Sequence, residues 1–142
     1  MTAPIVRLVT SRFEYPDSFT LERFEATGGY QGLRRALTMT PTAVHDEVKA
    51  ATLLGRGGAG FPAGIKWGFT PPGVWPRYLV VNGDESEPGT FKDRYCMWLD
   101  PHLLIEGMII SAYALDCHRA YIYIRGEFRF IQRRLDEAVE EA

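Results

Sequence analysis

Four glycines fall within the six positions Gly55-Arg56-Gly57-Gly58-Ala59-Gly60, and Phe61-Pro62 follows directly. Residues without a Cβ let backbone N–H groups approach a ligand closely and adopt positive φ without steric cost, which is how phosphates and flat rings are cradled. The segment has neither the GxGxxG spacing that follows a strand nor the GxxxxGK[ST] form of a phosphate loop, so alone it also reads as a plain flexible turn. Lys66 comes next, with Phe61, Trp67 and Phe69 bringing three aromatic rings near one cation. Stacking on an adenine or flavin ring, with Lys66 on a phosphate or ribose, suits these residues; three packed aromatics beside a solvated lysine is the alternative.

A second polar segment, Asn82-Gly83-Asp84-Glu85-Ser86-Glu87-Pro88-Gly89-Thr90-Phe91-Lys92-Asp93, begins where Arg77-Tyr78-Leu79-Val80-Val81-Asn82 ends. The latter is short, apolar and β-branched, the pattern of a strand buried on both faces. Ligands of α/β folds bind outside the carboxyl ends of such strands. Asn82, Asp84 and Ser86 have the groups to bond ribityl and ribose hydroxyls, while Asp84, Glu85 and Glu87 place a negative field there that disfavours an extra phosphate. A solvated acidic turn remains the other reading; the EF-hand pattern with its bidentate Glu at the twelfth position is absent.

Several elements must position these segments. Thr40-Pro41 caps and opens a helix carrying Val44, Val48 and Ala51 on one face, after a shorter helix over Gln31 to Leu37. Asp100-Pro101 opens another to about Asp116, apolar nearly all round and therefore expected inside a structure. A second strand covers Ala120 to Gly126 and an amphipathic helix Phe128 to Glu141. The order predicts an α/β fold with two parallel strands in a right-handed crossover, a short sheet with flanking helices. A parallel pair of this kind calls for more strands or another chain, so the sequence reads as truncated. The expected division is an extended arm over 1–27 with little regular structure, a helical subregion over 28–54, and the first half of an α/β binding domain over 55–142.

Bulk properties narrow the function. The 142 residues suit a single domain, and 46% hydrophobic with 24% charged residues is globular. A formal charge of -2 leaves no basic surplus for nucleic acid. The apolar run Leu103 to Leu115 is interrupted by Glu106 and is shorter than the roughly 20 residues of a membrane span. Met1 to Thr10 carries no secretory pattern, which makes a cytoplasmic chain the default. Cys96 and Cys117 lack CxxC spacing and read as two buried thiols; His45, His102 and His118, without ligand spacing, read as non-ligands.

Taken together, the glycine segment through Phe61-Pro62, Gly64 with Lys66-Trp67 and Phe69, the acidic segment 82–93, Asp100-Pro101-His102-Leu103-Leu104-Ile105-Glu106-Gly107-Met108 and Ala120 to Glu127 resemble the family of NADH- and FMN-binding flavoprotein subunits of respiratory complex I, N-terminal portion only. The likeness covers most of residues 28 to 142. It implies a partial Rossmann-like domain in which NADH passes hydride to FMN and electrons leave singly through an iron–sulfur cluster toward quinone. It further implies FMN contacts at Gly55, Gly57, Lys66, Asn82, Asp84 and Ser86 with Glu85 close by. NADH contacts are implied at Gly58, Ala59, Phe61, Lys66, Phe69 and Glu87, with Glu87 as the catalytic carboxylate.

Implied partners are the other subunits of a respiratory NADH dehydrogenase, especially a small 2Fe-2S subunit, at the inner face of the cell membrane. The family's diaphorase relatives in NAD-linked hydrogenases and formate dehydrogenases share these motifs, and a scaffold piece that holds no flavin is a third reading. The chain departs from the family pattern at Leu54 (usually Arg), Gly83 (Ala) and Gly68 (Ser). It also lacks the later flavin-site segment, the ubiquitin-like domain and the four-cysteine domain that ligates a 4Fe-4S cluster. Two cysteines cannot supply the four thiolates such a cluster takes, so no metal site is expected in these residues.

Overall fold

The computed structural model describes residues 6–142. The elements run α1 (Leu21–Ala26), α2 (Gln31–Ala36), α3 (Pro41–Ala50), α4 (Ala63–Trp67), β1 (Tyr78–Gly83), α5 (Lys92–Leu99), α6 (Pro101–Leu115), β2 (Arg119–Ile124) and α7 (Arg129–Glu141). β1 and β2 pair as a parallel two-stranded sheet, as the α/β reading expects. The residues group into two compact units. One runs to Tyr30 and includes Asn82–Glu106 and Tyr123–Ala142, and the other consists of Gln31–Val81 and Gly107–Ile122.

In the first unit, α7 turns Ile131, Leu135 and Ala138 inward at helical spacing, and Phe24, Met97, Ile105 and Phe128 are buried with them. Phe24 has no exposed surface and meets Tyr30 edge to face at 4.9 Å. The Arg12 guanidinium lies over the Phe24 ring at 4.5 Å, donates from Nε to Thr27 Oγ1 at 2.7 Å and from Nη1 to Asp100 Oδ2 at 3.1 Å. Fully buried His102 joins two elements: its Nδ1 is 2.9 Å from Tyr30 Oη and its Nε2 3.1 Å from Glu141 Oε2.

The second unit is organised around α3. Thr40 Oγ1 accepts from Ala43 N at 3.2 Å and Pro41 takes the first turn, as the sequence predicts. α4 packs on α3 so closely that a Cβ on Gly64 would sit 2.5 Å from Lys49 Cα. His45 Nε2 meets the Gly64 carbonyl at 2.6 Å, and the Tyr113 hydroxyl donates to the Met39 carbonyl at 2.6 Å.

Five expectations change. The arm predicted as extended over 1–27 is folded where it is described, since turns follow one another from Thr10 to Thr20 and lead into α1; residues 1–5 lie outside the described residues. Thr20 caps α1 by accepting from Arg23 N at 3.2 Å, and Phe24 anchors it, a cap and a single anchor too sparse to register as a period. α4 and α5 are helices the apolar pattern did not announce, because five and eight residues are too short to display one.

The strands are not buried on both faces, for Tyr78, Val80, Tyr121 and Tyr123 are exposed. α6 is fully buried only at Pro101, His102, Ile105 and Glu106 and half-buried over most of its later turns, and Cys96 and Cys117 are half-buried free thiols. A pair of strands offers too little surface to cover an all-apolar helix.

Candidate functional site

The glycine segment belongs to the second unit and forms a loop pinched at its base. Leu54 and Pro62 make an antiparallel bridge, Gly55 N donates to the Phe61 carbonyl at 2.9 Å, and Ala63 N to the Leu53 carbonyl at 2.7 Å. Between those ties Gly58 and Gly60 take φ of 136° and 64°, conformations that a side chain would strain. A Cβ placed on Gly57, Gly58 or Gly60 meets nothing within 4 Å. Among the described residues no acceptor takes the N–H groups of residues 56–60. The loop therefore presents free donors beside open space.

Phe61 and Phe69 of the same unit stand exposed at 46% and 68%, with centroids 5.9 Å apart and planes inclined by 48°. Exposure at that level rules out the reading of these two as packed core rings. Trp67 is different, half-buried against His45 at 5.9 Å. Lys66 is exposed in the last turn of α4 and forms no ion pair among the described residues. Ala59 and Gly55 are exposed on the loop itself.

The acidic segment belongs to the first unit. Asn82 Oδ1 accepts from Asp84 N at 2.9 Å, and Ser86 Oγ donates to Asp84 Oδ2 at 2.9 Å, so these three residues brace one another in a tight turn. Thr90 bonds the Glu87 carbonyl twice, from N at 3.2 Å and from Oγ1 at 2.6 Å. The Glu87 carboxylate itself is exposed and unpaired among the described residues.

Glu85 is turned inward and only 2% exposed. Its Oε1 accepts from Asp93 N at 2.7 Å, and its Oε2 from Arg94 Nε at 2.7 Å and Arg94 N at 3.4 Å. The carboxylate thus caps the start of α5, where two free N–H groups face a negative charge. Burial pushes its pKa up, but the Arg94 guanidinium and the two backbone N–H groups together outweigh burial and hold it below the ordinary carboxylate value. A group whose native pKa is depressed contributes stability above its unfolded pKa and loses it as pH falls through the native value. Glu85→Gln is accordingly expected to cost on the order of 2 kcal/mol near neutral pH. The gap to wild type should close on acidification below about pH 4.5, in urea melts run at several pH values. A constant gap would contradict the charged cap.

Sequence reasoning missed Arg94 and Arg125. Arg94 also donates from Nη2 to the Thr90 carbonyl at 3.2 Å, and Arg125 from Nη1 to the Glu85 carbonyl at 2.9 Å. The signal was available: a basic residue in the first turn of the element after an acidic loop is placed to grip that loop, although which carboxylate it takes is decided by folding.

Comparison with known proteins gives these loops a context. Residues 48–142 match the Nuo51 FMN-binding domain. The chain is 52% identical over 131 residues to the NADH-quinone oxidoreductase F subunit numbered 2 of Rhizobium meliloti, covering 91% of this chain and 31% of that one. It is 50% identical over 137 residues to the NADH-quinone oxidoreductase F subunit of Aquifex aeolicus, covering 96% and 32%. The fold resembles a chain of an air-oxidized NAD+-reducing [NiFe]-hydrogenase with a TM-score of 0.73 at 35% identity, over 86% of this chain and 22% of that one. The chain spans about a third of the length of the curated relatives it matches. With two thirds of its residues inside the family match and half of its positions identical to those relatives, the chain belongs to the Nuo51 FMN-binding domain family.

Proposed function

We propose that this chain is the part of an NADH-oxidising flavoprotein that holds FMN and NADH. The observation that carries the reading is the open glycine loop, with its free N–H donors and two exposed phenylalanine rings, inside the segment that matches an FMN-binding domain. The residues fit the group. Free backbone donors and the unpaired Lys66 suit phosphate, exposed rings suit a flat heteroaromatic system, and the carboxamide, carboxylate and hydroxyl of Asn82, Asp84 and Ser86 suit a polyol. Bound FMN supplies a hydride acceptor able to release electrons singly.

The protein residues bind and orient. Gly55 and Gly57 allow the loop to approach FMN, Lys66 balances phosphate charge, and Asn82, Asp84 and Ser86 hold the polar chain, with Glu85 acting from behind. Gly58 and Ala59 leave room for NADH, Phe61 and Phe69 stack on its adenine, Lys66 reaches its phosphate or ribose, and Glu87 accepts hydrogen bonds from the dinucleotide. Glu87 is the carboxylate assigned to catalysis.

The proposal extends to the assembly: a respiratory NADH dehydrogenase with quinone as acceptor, a small 2Fe-2S subunit as neighbour and a 4Fe-4S cluster held by residues other than these. The chain would lie on the cytoplasmic face of the cell membrane; no helix among the described residues is long and apolar enough to cross one. The likeness to the NAD+-reducing hydrogenase favours one second reading, a diaphorase subunit, which reduction of NAD+ by hydrogen in the assembled protein would reveal.

Titration with FMN, followed by flavin fluorescence, is expected to give weak quenching for the chain by itself and saturable quenching, with bleaching when NADH is added anaerobically, when the rest of the flavoprotein is present. An assembled protein that purifies colourless and neither binds FMN nor bleaches would instead establish a scaffold. In the assembled flavoprotein, Lys66→Ala and Glu87→Gln should each cost about 1.5–3 kcal/mol of NADH binding. That corresponds to roughly a tenfold or greater rise in KM with an artificial acceptor.

A further inference from the structure

We propose that Arg94 is a positioning residue that holds Glu87 at the crest of the acidic loop. The inference rests on the assignment of Glu87 to NADH. The path from guanidinium to carboxylate is continuous. Arg94 grips both ends of the segment 85–90, through Nε on the Glu85 carboxylate at 2.7 Å and through Nη2 on the Thr90 carbonyl at 3.2 Å. Thr90 in turn fixes the Glu87 backbone, its Oγ1 donating to the Glu87 carbonyl at 2.6 Å and its N at 3.2 Å. Arg125 holds the Glu85 carbonyl from the other side at 2.9 Å. No bond in this set touches the Glu87 carboxylate, which is left to face a ligand.

Four donors converge on Glu85: Asp93 N, Arg94 N and Arg94 Nε on its carboxylate and Arg125 Nη1 on its carbonyl. Arg94 alone among them also reaches Thr90, and so closes a six-residue arch whose third member is Glu87. The groups facing the Glu85 carboxylate are Arg94, Asp93 and Cys96 of α5, while Arg125 beyond β2 bonds the backbone carbonyl of Glu85; the Asp93 carboxylate is itself paired with Lys92. Removing Arg94 leaves a buried carboxylate with backbone donors only, and burial then favours its protonated form as pH falls. Protonation withdraws an acceptor from Asp93 N and loosens the arch.

The test is kinetic. In an assembled flavoprotein containing this segment, Arg94→Gln is expected to raise KM for NADH about tenfold while kcat per bound flavin stays within about twofold. The variant's KM should also climb toward acid pH, where the wild-type KM is flat. Arg94→Lys, which returns the charge without the fork, recovers part of the affinity. Thr90→Val removes the hydroxyl bond to Glu87, keeps the backbone one and leaves the ion pair intact, and it should raise KM about threefold; it decides the matter if Arg94→Gln does not fold. An unmoved KM in these variants, with wild type active and Glu87→Gln impaired, overturns the positioning role and leaves the functional reading standing. A wild type that neither retains FMN nor oxidises NADH overturns the functional reading. Hydrogen exchange on the 142-residue chain then judges the arch alone, with unchanged rates at Glu87 to Asp93 in Arg94→Gln counting against it and faster exchange supporting it.

Discussion

Gly64→Ala should lower stability by about 3 kcal/mol, whereas Gly57→Ala, seven positions earlier, should change it by less than about 0.5 kcal/mol. The difference is one of space. A methyl on Gly64 would come within 2.5 Å of Lys49 Cα and 2.8 Å of Lys49 N, and helix backbone does not yield as a flexible side chain does. α4 must then lift from α3, taking the Gly64 carbonyl away from His45 and disturbing the base of the glycine loop through Ala63. A methyl on Gly57 meets nothing within 4 Å and its φ is not positive, so the backbone accepts alanine freely. What Gly57→Ala should impair is FMN binding, because the methyl enters the space assigned to the ligand. Thermal melts and FMN titrations of both variants separate the effects. If Gly64→Ala is as stable as wild type, the α3–α4 approach is looser than described.

Arg12→Ala should cost about 3 kcal/mol near neutral pH, because it leaves the buried Asp100 carboxylate without its guanidinium. Burial already pushes the Asp100 pKa above the ordinary carboxylate value, and Arg12 pulls against that shift. Without Arg12, burial acts unopposed and the native pKa rises further. The native state then holds a proton that the unfolded chain has released. Stability is consequently lost as pH rises between the ordinary carboxylate value and the raised native one, and regained as pH falls. The deficit of Arg12→Ala relative to wild type should therefore be greatest at about pH 7.5 and smaller at about pH 5, in urea melts at both. A pH-independent remainder is expected from the lost Thr27 bonds and the contact with Phe24. A deficit that grows toward acid would mean Asp100 is solvated.

The elements legible in the sequence were those with a cap and a period. Thr40-Pro41 and the run from Pro101 began helices where capping chemistry placed them, and Tyr78 to Gly83 and Arg119 to Ile124 formed strands within a residue or two of their apolar runs. α1 and α5 were not legible because their reasons are tertiary: Phe24 needs a core to enter, and α5 takes its cap from Glu85, which lies outside the helix. The same limit applied to the candidate site. The family resemblance, and not residue type, marked Gly57, Phe61 and Phe69 as ligand-facing; residue type left a packed alternative open for the two rings, which their exposure removes. Nothing in the one-dimensional pattern distinguishes Glu85 from Glu87, yet folding turns the first inward to a guanidinium and leaves the second exposed. Charge alone described the loop as uniformly acidic; the fold partitions it into a structural carboxylate and a free one.

The two-stranded sheet has a consequence for handling the chain by itself. Each strand pairs on one side only, so among the described residues both outer edges carry backbone donors and acceptors with no strand beside them, flanked by the exposed Tyr78, Val80, Tyr121 and Tyr123. Such edges are indiscriminate: any extended segment that reaches them can add on, including one from another copy. Solubility is then governed by how fast strands meet, a second-order quantity set by concentration, and not by how firmly each copy is folded. Substitutions that raise the melting temperature by filling the core would leave that rate untouched, while a lysine or proline at an outer strand position would slow it without making the fold any stronger.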